Sequence, residues 1–279
     1  MSRSIIRCLL LMILLDVASQ NRVHLPRRVR AQQLRNARYS EYAFIVSLMS
    51  KIDSASSASY VRTCSGSLIN SQFAITSARC LIPSLQYVRC GNMSVPMNET
   101  ICKSHILTQI AHPGYTHGQK YFNNDIGLIQ VQPLVMKNYG RLKAVDYKTL
   151  LGRVVEYAGY GGINGLRTFD VEKMKKLKTG PLQIGEGVIY DTQKKDKSFD
   201  GDPLLLVAQS CVQRRAAPFI GDPGGPLFVG SQIAGVACLA ESVDNRRHPV
   251  LNGFVPVSPY LPWIQNVIKI YGSKVVEVW

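Results

Sequence analysis

The sequence predicts an all-β fold closed by a single C-terminal helix, and three observations carry that prediction. First, short runs rich in β-branched and aromatic residues recur along the body: Tyr42 to Leu48, Cys64 to Ile69, Phe73 to Thr76, Ile126 to Val131, Val154 to Tyr160, Leu204 to Ala208, Pro226 to Val229, Gln232 to Cys238 and Gly253 to Val257. Second, Pro-Gly and Gly-Gly pairs punctuate the connections between them. Third, the period changes at the end of the chain. From Tyr260 the apolar residues Trp263, Ile264, Val267, Ile268 and Tyr271 recur at helical spacing, with Pro262 in the first turn and Gly272 as the stop. Strands at this spacing point to a barrel or a sandwich, not to βαβ units.

Taken in order, the chain opens on a basic n-region (Arg3, Arg7), a short apolar stretch from Cys8 to Leu15, and the small residues Val17-Ala18-Ser19. This pattern predicts a signal peptide over residues 1–19 and a secreted, extracellular protein. Its removal takes Cys8 and leaves six of the seven cysteines, an even count that fits three disulfides. The formal charge of +15 falls to +14 with that segment. Residues 20–41 then form a basic arm holding Arg22, Arg27, Arg28, Arg30, Arg35 and Arg38. Such an arm suits an acidic glycan, an acidic protein or a membrane surface; the plainer reading is a solvated arm trimmed by proteases. The body spans residues 42–272, with a rise in polarity near 133–153 that divides it into two halves, and residues 273–279 are a tail. Two sequons, Asn92-Met93-Ser94 and Asn98-Glu99-Thr100, fall between Cys90 and Cys102 in a polar stretch and predict glycans at Asn92 and Asn98. At 46% hydrophobic residues a packed core is feasible, and no run of eighteen apolar residues predicts a membrane span. No metal, cofactor or nucleic acid is expected.

Five strings in register carry a resemblance. They are Cys64-Ser65-Gly66-Ser67-Leu68-Ile69, Thr76-Ser77-Ala78-Arg79-Cys80, and His112-Pro113-Gly114-Tyr115 followed by Asn124-Asp125-Ile126-Gly127-Leu128-Ile129. The others are Gly221-Asp222-Pro223-Gly224-Gly225-Pro226-Leu227 and Val257-Ser258 through Trp263-Ile264. Together they resemble the chymotrypsin/trypsin-like (S1) serine proteases across roughly residues 42 to 268. The resemblance implies two six-stranded antiparallel β-barrels with the active site in the cleft between them.

A serine protease needs a nucleophilic hydroxyl, an imidazole to take its proton, and a carboxylate to orient the imidazole. The resemblance puts Asp125 at the carboxylate position, Arg79 at the imidazole position and Pro223 at the nucleophile position. A guanidinium stays protonated at physiological pH and cannot serve as a general base. Proline has no hydroxyl and also no N–H, so one donor of the oxyanion hole is lost with the nucleophile. Neither Ser77 nor Cys238 has an evident histidine partner to replace it. Arginine's planar fork matches a carboxylate, so an Arg79–Asp125 ion pair is expected where the catalytic pair would be.

The family's activation switch and pocket are altered too. The start that would follow a cut after Arg30 reads Ala31-Gln32-Gln33-Leu34, without the apolar residues that insert in family members. Ala217, Phe219, Cys238 and Asn252 occupy specificity-pocket positions, and a narrowed or filled cleft is expected. Cys64–Cys80 matches a family bridge, and Cys90–Cys102 would close the loop that bears the sequons. Cys211 either pairs with Cys238 or both stay reduced.

These readings predict a secreted, non-catalytic serine protease homologue, of a kind common in insects, that binds an extracellular protein as cofactor, decoy or carrier. Its partner would be a protease, an inhibitor or another secreted protein, with an acidic glycan as a further ligand of the arm. The competing classes are an endopeptidase with displaced catalytic residues and a glycan- or surface-binding module.

Overall fold

A computed structural model describes residues 35–38, 40–52, 59–95, 97–116, 123–160, 181–190, 203–209, 223–241 and 251–272. The expected signal peptide, most of the basic arm, Cys211, Ala217, Phe219 and the C-terminal tail lie outside the described residues.

The first barrel is built from β2 (Ile45–Ile52), β3 (Ser59–Leu68), β4 (Phe73–Thr76), β5 (Leu85–Arg89), β6 (Lys103–Ala111) and β7 (Gly127–Val131). They close in the order β2-β3-β4-β7-β6-β5, all antiparallel. Ile45, Val46, Leu48, Leu68, Phe73, Ile75, Leu128 and Ile129 are buried. Neighbours such as Ile45 and Val46 or Leu128 and Ile129 point to opposite faces, so the barrel interior and part of its outer face are both covered.

The second barrel follows from β9 (Val154–Gly159), β10 (Gln183–Tyr190), β11 (Leu205–Gln209), β12 (Pro226–Val229), β13 (Gln232–Glu241) and β14 (Leu251–Pro256). The ring β9-β10-β11-β14-β13-β12 returns to β9 through the pairs Leu227 with Tyr157 and Phe228 with Glu156. Gly185 and Gly187 permit this closure. A Cβ on Gly185 would come 2.5 Å from the Tyr157 ring, and one on Gly187 2.5 Å from Val207. Two short strands sit on the rim: β1 (Arg35–Asn36) on β10, and β8 (Arg141–Leu142) in parallel on β13.

β1 differs from the expectation of a solvated arm through residue 41. Ala37 N–H donates to Leu182 O at 2.7 Å, and Arg35 makes a bidentate pair with Glu41 at 2.7 and 2.8 Å. Arg35 also reaches Glu156 on β9, whose other oxygen accepts the Tyr42 hydroxyl at 2.6 Å. The end of the basic stretch is thus fixed to the second barrel by backbone pairing and paired charge.

The principal core runs from the first barrel into the second, while a separate cluster around Tyr157, Val207, Leu227 and Phe254 lies within the second alone. Tyr42 stacks on Phe228 at 4.3 Å, and Phe44 meets the same ring edge-on at 6.2 Å. The chain ends in α1 (Leu261–Gly272), preceded by a 3-10 turn at Ser258–Tyr260. Ile264 and Val267 turn inward, and Gln130 Nε2 of β7 donates to Tyr271 O at 3.1 Å. The helix leaves the second barrel and docks on the first.

Candidate functional site

β4 ends at Thr76 and leads into a 3-10 turn, Ala78–Cys80, which lifts Arg79 over the rim of the first barrel. The Cys64–Cys80 disulfide ties this turn to β3, with Cα atoms 6.0 Å apart. Opposite it, Asn124 adopts φ +54° and turns the chain into β7, with Asp125 wholly buried. The turn is braced on both sides. Asn124 Nδ2 donates to Gly114 O at 3.1 Å, and the Tyr260 hydroxyl donates to Asn124 Oδ1 at 3.0 Å.

Arg79 and Asp125 meet as expected from the sequence. Arg79 Nε donates to Asp125 Oδ2 at 2.6 Å, and the Arg79 backbone N–H donates to Oδ1 at 2.8 Å. The expected fork of two guanidinium bonds is therefore replaced by one side-chain and one backbone donor, which still engage both oxygens. Arg79 is 23% exposed and its partner 0%, so the pair has an open side and a sealed side. Two neighbouring groups register this charge. The Tyr115 hydroxyl is pushed up in pKa first by burial and then by Asp125, with Arg79 opposing. The Cys238 thiol is pushed up in the same way, burial first and Asp125 second.

Pro223 comes to the same place from the second barrel. Its carbonyl accepts Ser65 N–H from β3 at 2.9 Å and lies 3.5 Å from Cys80 Sγ. Gly224 follows at φ +85° and donates its N–H to Ala237 O at 2.8 Å. A Cβ at Gly224 would collide with Ser65 O and Thr76 Oγ1, so only glycine lets the turn approach this closely. Arg79, Asp125 and Pro223 thus converge on one junction between the barrels, with no hydroxyl or N–H at Pro223 to offer.

The two described histidines are engaged elsewhere. His112 packs edge-on against Tyr260 and Trp263, at 5.0 Å from each, and its Nδ1 accepts Gly114 N–H at 3.2 Å. Burial lowers its pKa, which favours the neutral ring this acceptor role needs. His105 lies edge-on to Tyr87 at 4.7 Å. Ser77 Oγ is buried and makes no hydrogen bond. His24, His117 and His248 lie outside the described residues, as do Gly221 and Asp222.

Of the pocket positions, Asn252 and Cys238 are described. Asn252 sits on β14 between Val207 and Ala240, is 0% exposed, and leaves both amide atoms without a hydrogen-bond partner. Cys238 is a free, buried thiol, so the Cys211–Cys238 bridge is not formed and the reduced alternative holds for Cys238. Cys90–Cys102 is bonded, and Asn92 and Asn98 both lie exposed in the loop it closes. Sequence reading missed what shapes this loop. Arg89 is almost fully buried, and its Nη2 donates to the carbonyls of Asn92 and Val95. A lone arginine ending an apolar strand gives no pattern from which such a role can be read.

Comparison with known proteins agrees with this geometry. The family model described as Trypsin matches residues 34–264. Chymase from Cavia porcellus is 28% identical over 228 residues, covering 79% of this chain and 85% of that protein. Serine protease SP24D from Anopheles gambiae is 24% identical, covering 75% of this chain and 73% of its own. Among solved structures, neuropsin, a serine protease expressed in the limbic system of mouse brain, superposes with a TM-score of 0.61. It covers 85% of this chain and 99% of its own, at 17% identity, a likeness of fold.

Proposed function

The chain belongs to the trypsin family, and from that premise we propose that it is a secreted, non-catalytic member that works by binding a protein partner. One observation carries the reading: a guanidinium, not an imidazole, holds the buried carboxylate, with Arg79 Nε 2.6 Å from Asp125 Oδ2. Acyl transfer in this family needs a base that can give up and regain a proton near neutral pH. Arginine cannot do so, and Pro223 has neither hydroxyl to attack nor N–H to stabilise an oxyanion. The buried, unpartnered Ser77 Oγ supports no displaced nucleophile. What the chain retains is the scaffold: two barrels, the bridge at Cys80, and an Arg79–Asp125 pair at their junction. A retained surface without its chemistry suits a cofactor, decoy or carrier of an extracellular protein. Two disulfides fit export, and no helix among the described residues is long and apolar enough to cross a membrane.

The test is direct. Purified mature protein, intact and after nicking at Arg30, is assayed on mixed peptide substrates and treated with a serine-directed fluorophosphonate. We expect neither turnover nor labelling. Turnover that disappears in Asp125→Ala would overturn the reading and favour displaced catalytic residues.

A further inference from the structure

The loop closed by Cys90–Cys102 carries an exposed aliphatic residue just before its closing cysteine. Ile101 is 99% exposed, and Val135, on the segment that follows β7, is 86% exposed. The two belong to one end of the first barrel. Met136 Sδ lies 3.9 Å from Cys102 Sγ, Gln132 N–H donates to His105 O at 2.9 Å, and Ser104 Oγ donates to Gln132 O at 2.6 Å. Residues 132–136 therefore run beside residues 102–105, and the side chains one step before Cys102 and Met136 both stand in water.

Ile101 cannot bury itself by local collapse. The disulfide closes the loop at its base, Arg89 bonds the carbonyls of Asn92 and Val95 from within, and Lys103 Nζ donates to Met97 O at 3.0 Å. Such a frame keeps Ile101 outward. An isolated exposed aliphatic is ordinary, but Ile101 on the braced loop and Val135 on the segment beside it, both almost fully exposed, favour association unless covered.

We propose that the cover is an N-linked glycan on Asn98. Asn98 is exposed, lies three residues before Ile101 on the same braced loop, and begins the sequon Asn98-Glu99-Thr100. The attachment is made during export. The Asn98 amide nitrogen displaces a lipid diphosphate from C1 of the incoming N-acetylglucosamine, forming the N–C bond, and one amide proton leaves. The sugar's apolar faces then lie over Ile101 and Val135 while its hydroxyls face water. Asn92 differs. Its Oδ1 accepts Ser94 N–H at 2.9 Å at the start of the loop, nine residues before Ile101, and a glycan there has no share in the cover.

The test compares Asn98→Gln, Asn92→Gln and the wild type, all exported from eukaryotic cells, by intact mass and by light scattering on the eluted monomer and larger species. Wild type is expected to carry sugar on Asn98 and to stay monomeric. In Asn98→Gln the self-associated fraction rises at least about threefold, whereas Asn92→Gln behaves as wild type. Adding Ile101→Ser and Val135→Ser to Asn98→Gln restores the monomer. Enzymatic deglycosylation of folded wild type should reproduce the association, which separates cover from any role in folding. An unmodified Asn98, unchanged association after sugar removal, or no rescue by the serine pair would each overturn the proposal.

Discussion

Replacing Arg79 and replacing Asp125 are unequal perturbations, because one partner faces the cleft and the other is sealed. Arg79→Ala leaves a wholly buried carboxylate held by the residue 79 backbone N–H, and is expected to cost about 3 kcal/mol of stability. Asp125→Ala frees a guanidinium that can reach water on its exposed side, so its cost is smaller. The double variant should recover part of the loss, with a coupling energy of about 1–3 kcal/mol in a denaturant-unfolding cycle. Additive losses would show that the contact does not stabilise the fold. Asn252 makes the opposite case. Both of its amide atoms are buried and unpartnered, so Asn252→Leu, similar in volume and without polar atoms, is expected to stabilise by about 1–2 kcal/mol. A loss in the same assay would mean that an unseen partner satisfies the amide. The meeting of Arg79 with Asp125 was legible in the sequence because the neighbours of each obey a motif. The unsatisfied state of Asn252 was not, since it depends on what three strands leave around it.

At the scale of elements, β1 is held to the second barrel by the Arg35–Glu41–Glu156–Tyr42 cluster, and that makes its docking sensitive to acid. The hydrogen bonds from Arg35, acting against burial, bring the Glu41 pKa from 4.5 down to about 2. A carboxyl depressed on folding stabilises the native state above its unfolded pKa and ceases to do so as pH falls through the folded value. The advantage of wild type over Glu41→Gln should therefore be constant above pH 4.5 and shrink as the pH approaches 2. It should be modest, about 0.5–1 kcal/mol, because the pair is partly exposed and screened by salt. A difference that grows on acidification would refute the assignment. Glu186, opposite Glu156 on β10, is shifted upward by burial and then by Glu156, and its own contribution runs the other way, favouring the fold at low pH. Strands such as β4 and β12 were readable because each is a dense apolar run that lies between turn residues. β5, β6 and β10 were not. In β6 the buried positions include Ser104 while Leu107 faces out, and in β10 Gly185 and Gly187, which give no strand signal, permit close packing against Tyr157 and Val207. Local composition signals a strand when the buried face is apolar, and fails when barrel geometry decides which residue fits.

For the whole molecule, the two-barrel form followed from motif order, while the way the barrels are joined needed the structure. The joint is not a hinge. Phe44 and Tyr42 enter from the first barrel to pack on Phe228 of the second, Ser65 N–H is bonded to Pro223 O, and α1 crosses back to meet β7. The principal core contains Leu128 and Ile129 of one barrel with Val236 and Val255 of the other and Ile264 of the helix. Neither barrel can open without exposing apolar surface on both, so the chain should unfold in one transition despite its length. Trp263 reports on this seam, since it lies on α1 and touches His112 of the segment between β6 and β7. Its fluorescence, read in a Trp279→Phe background, follows undocking of the helix from the first barrel, whereas far-UV circular dichroism follows the strands of both. The two signals are expected to give coincident midpoints in guanidinium chloride, with disulfides intact. A fluorescence change that completes at lower denaturant than the loss of dichroism would mean that the helix and the first barrel separate before the second barrel melts, and that the shared core does not couple the halves.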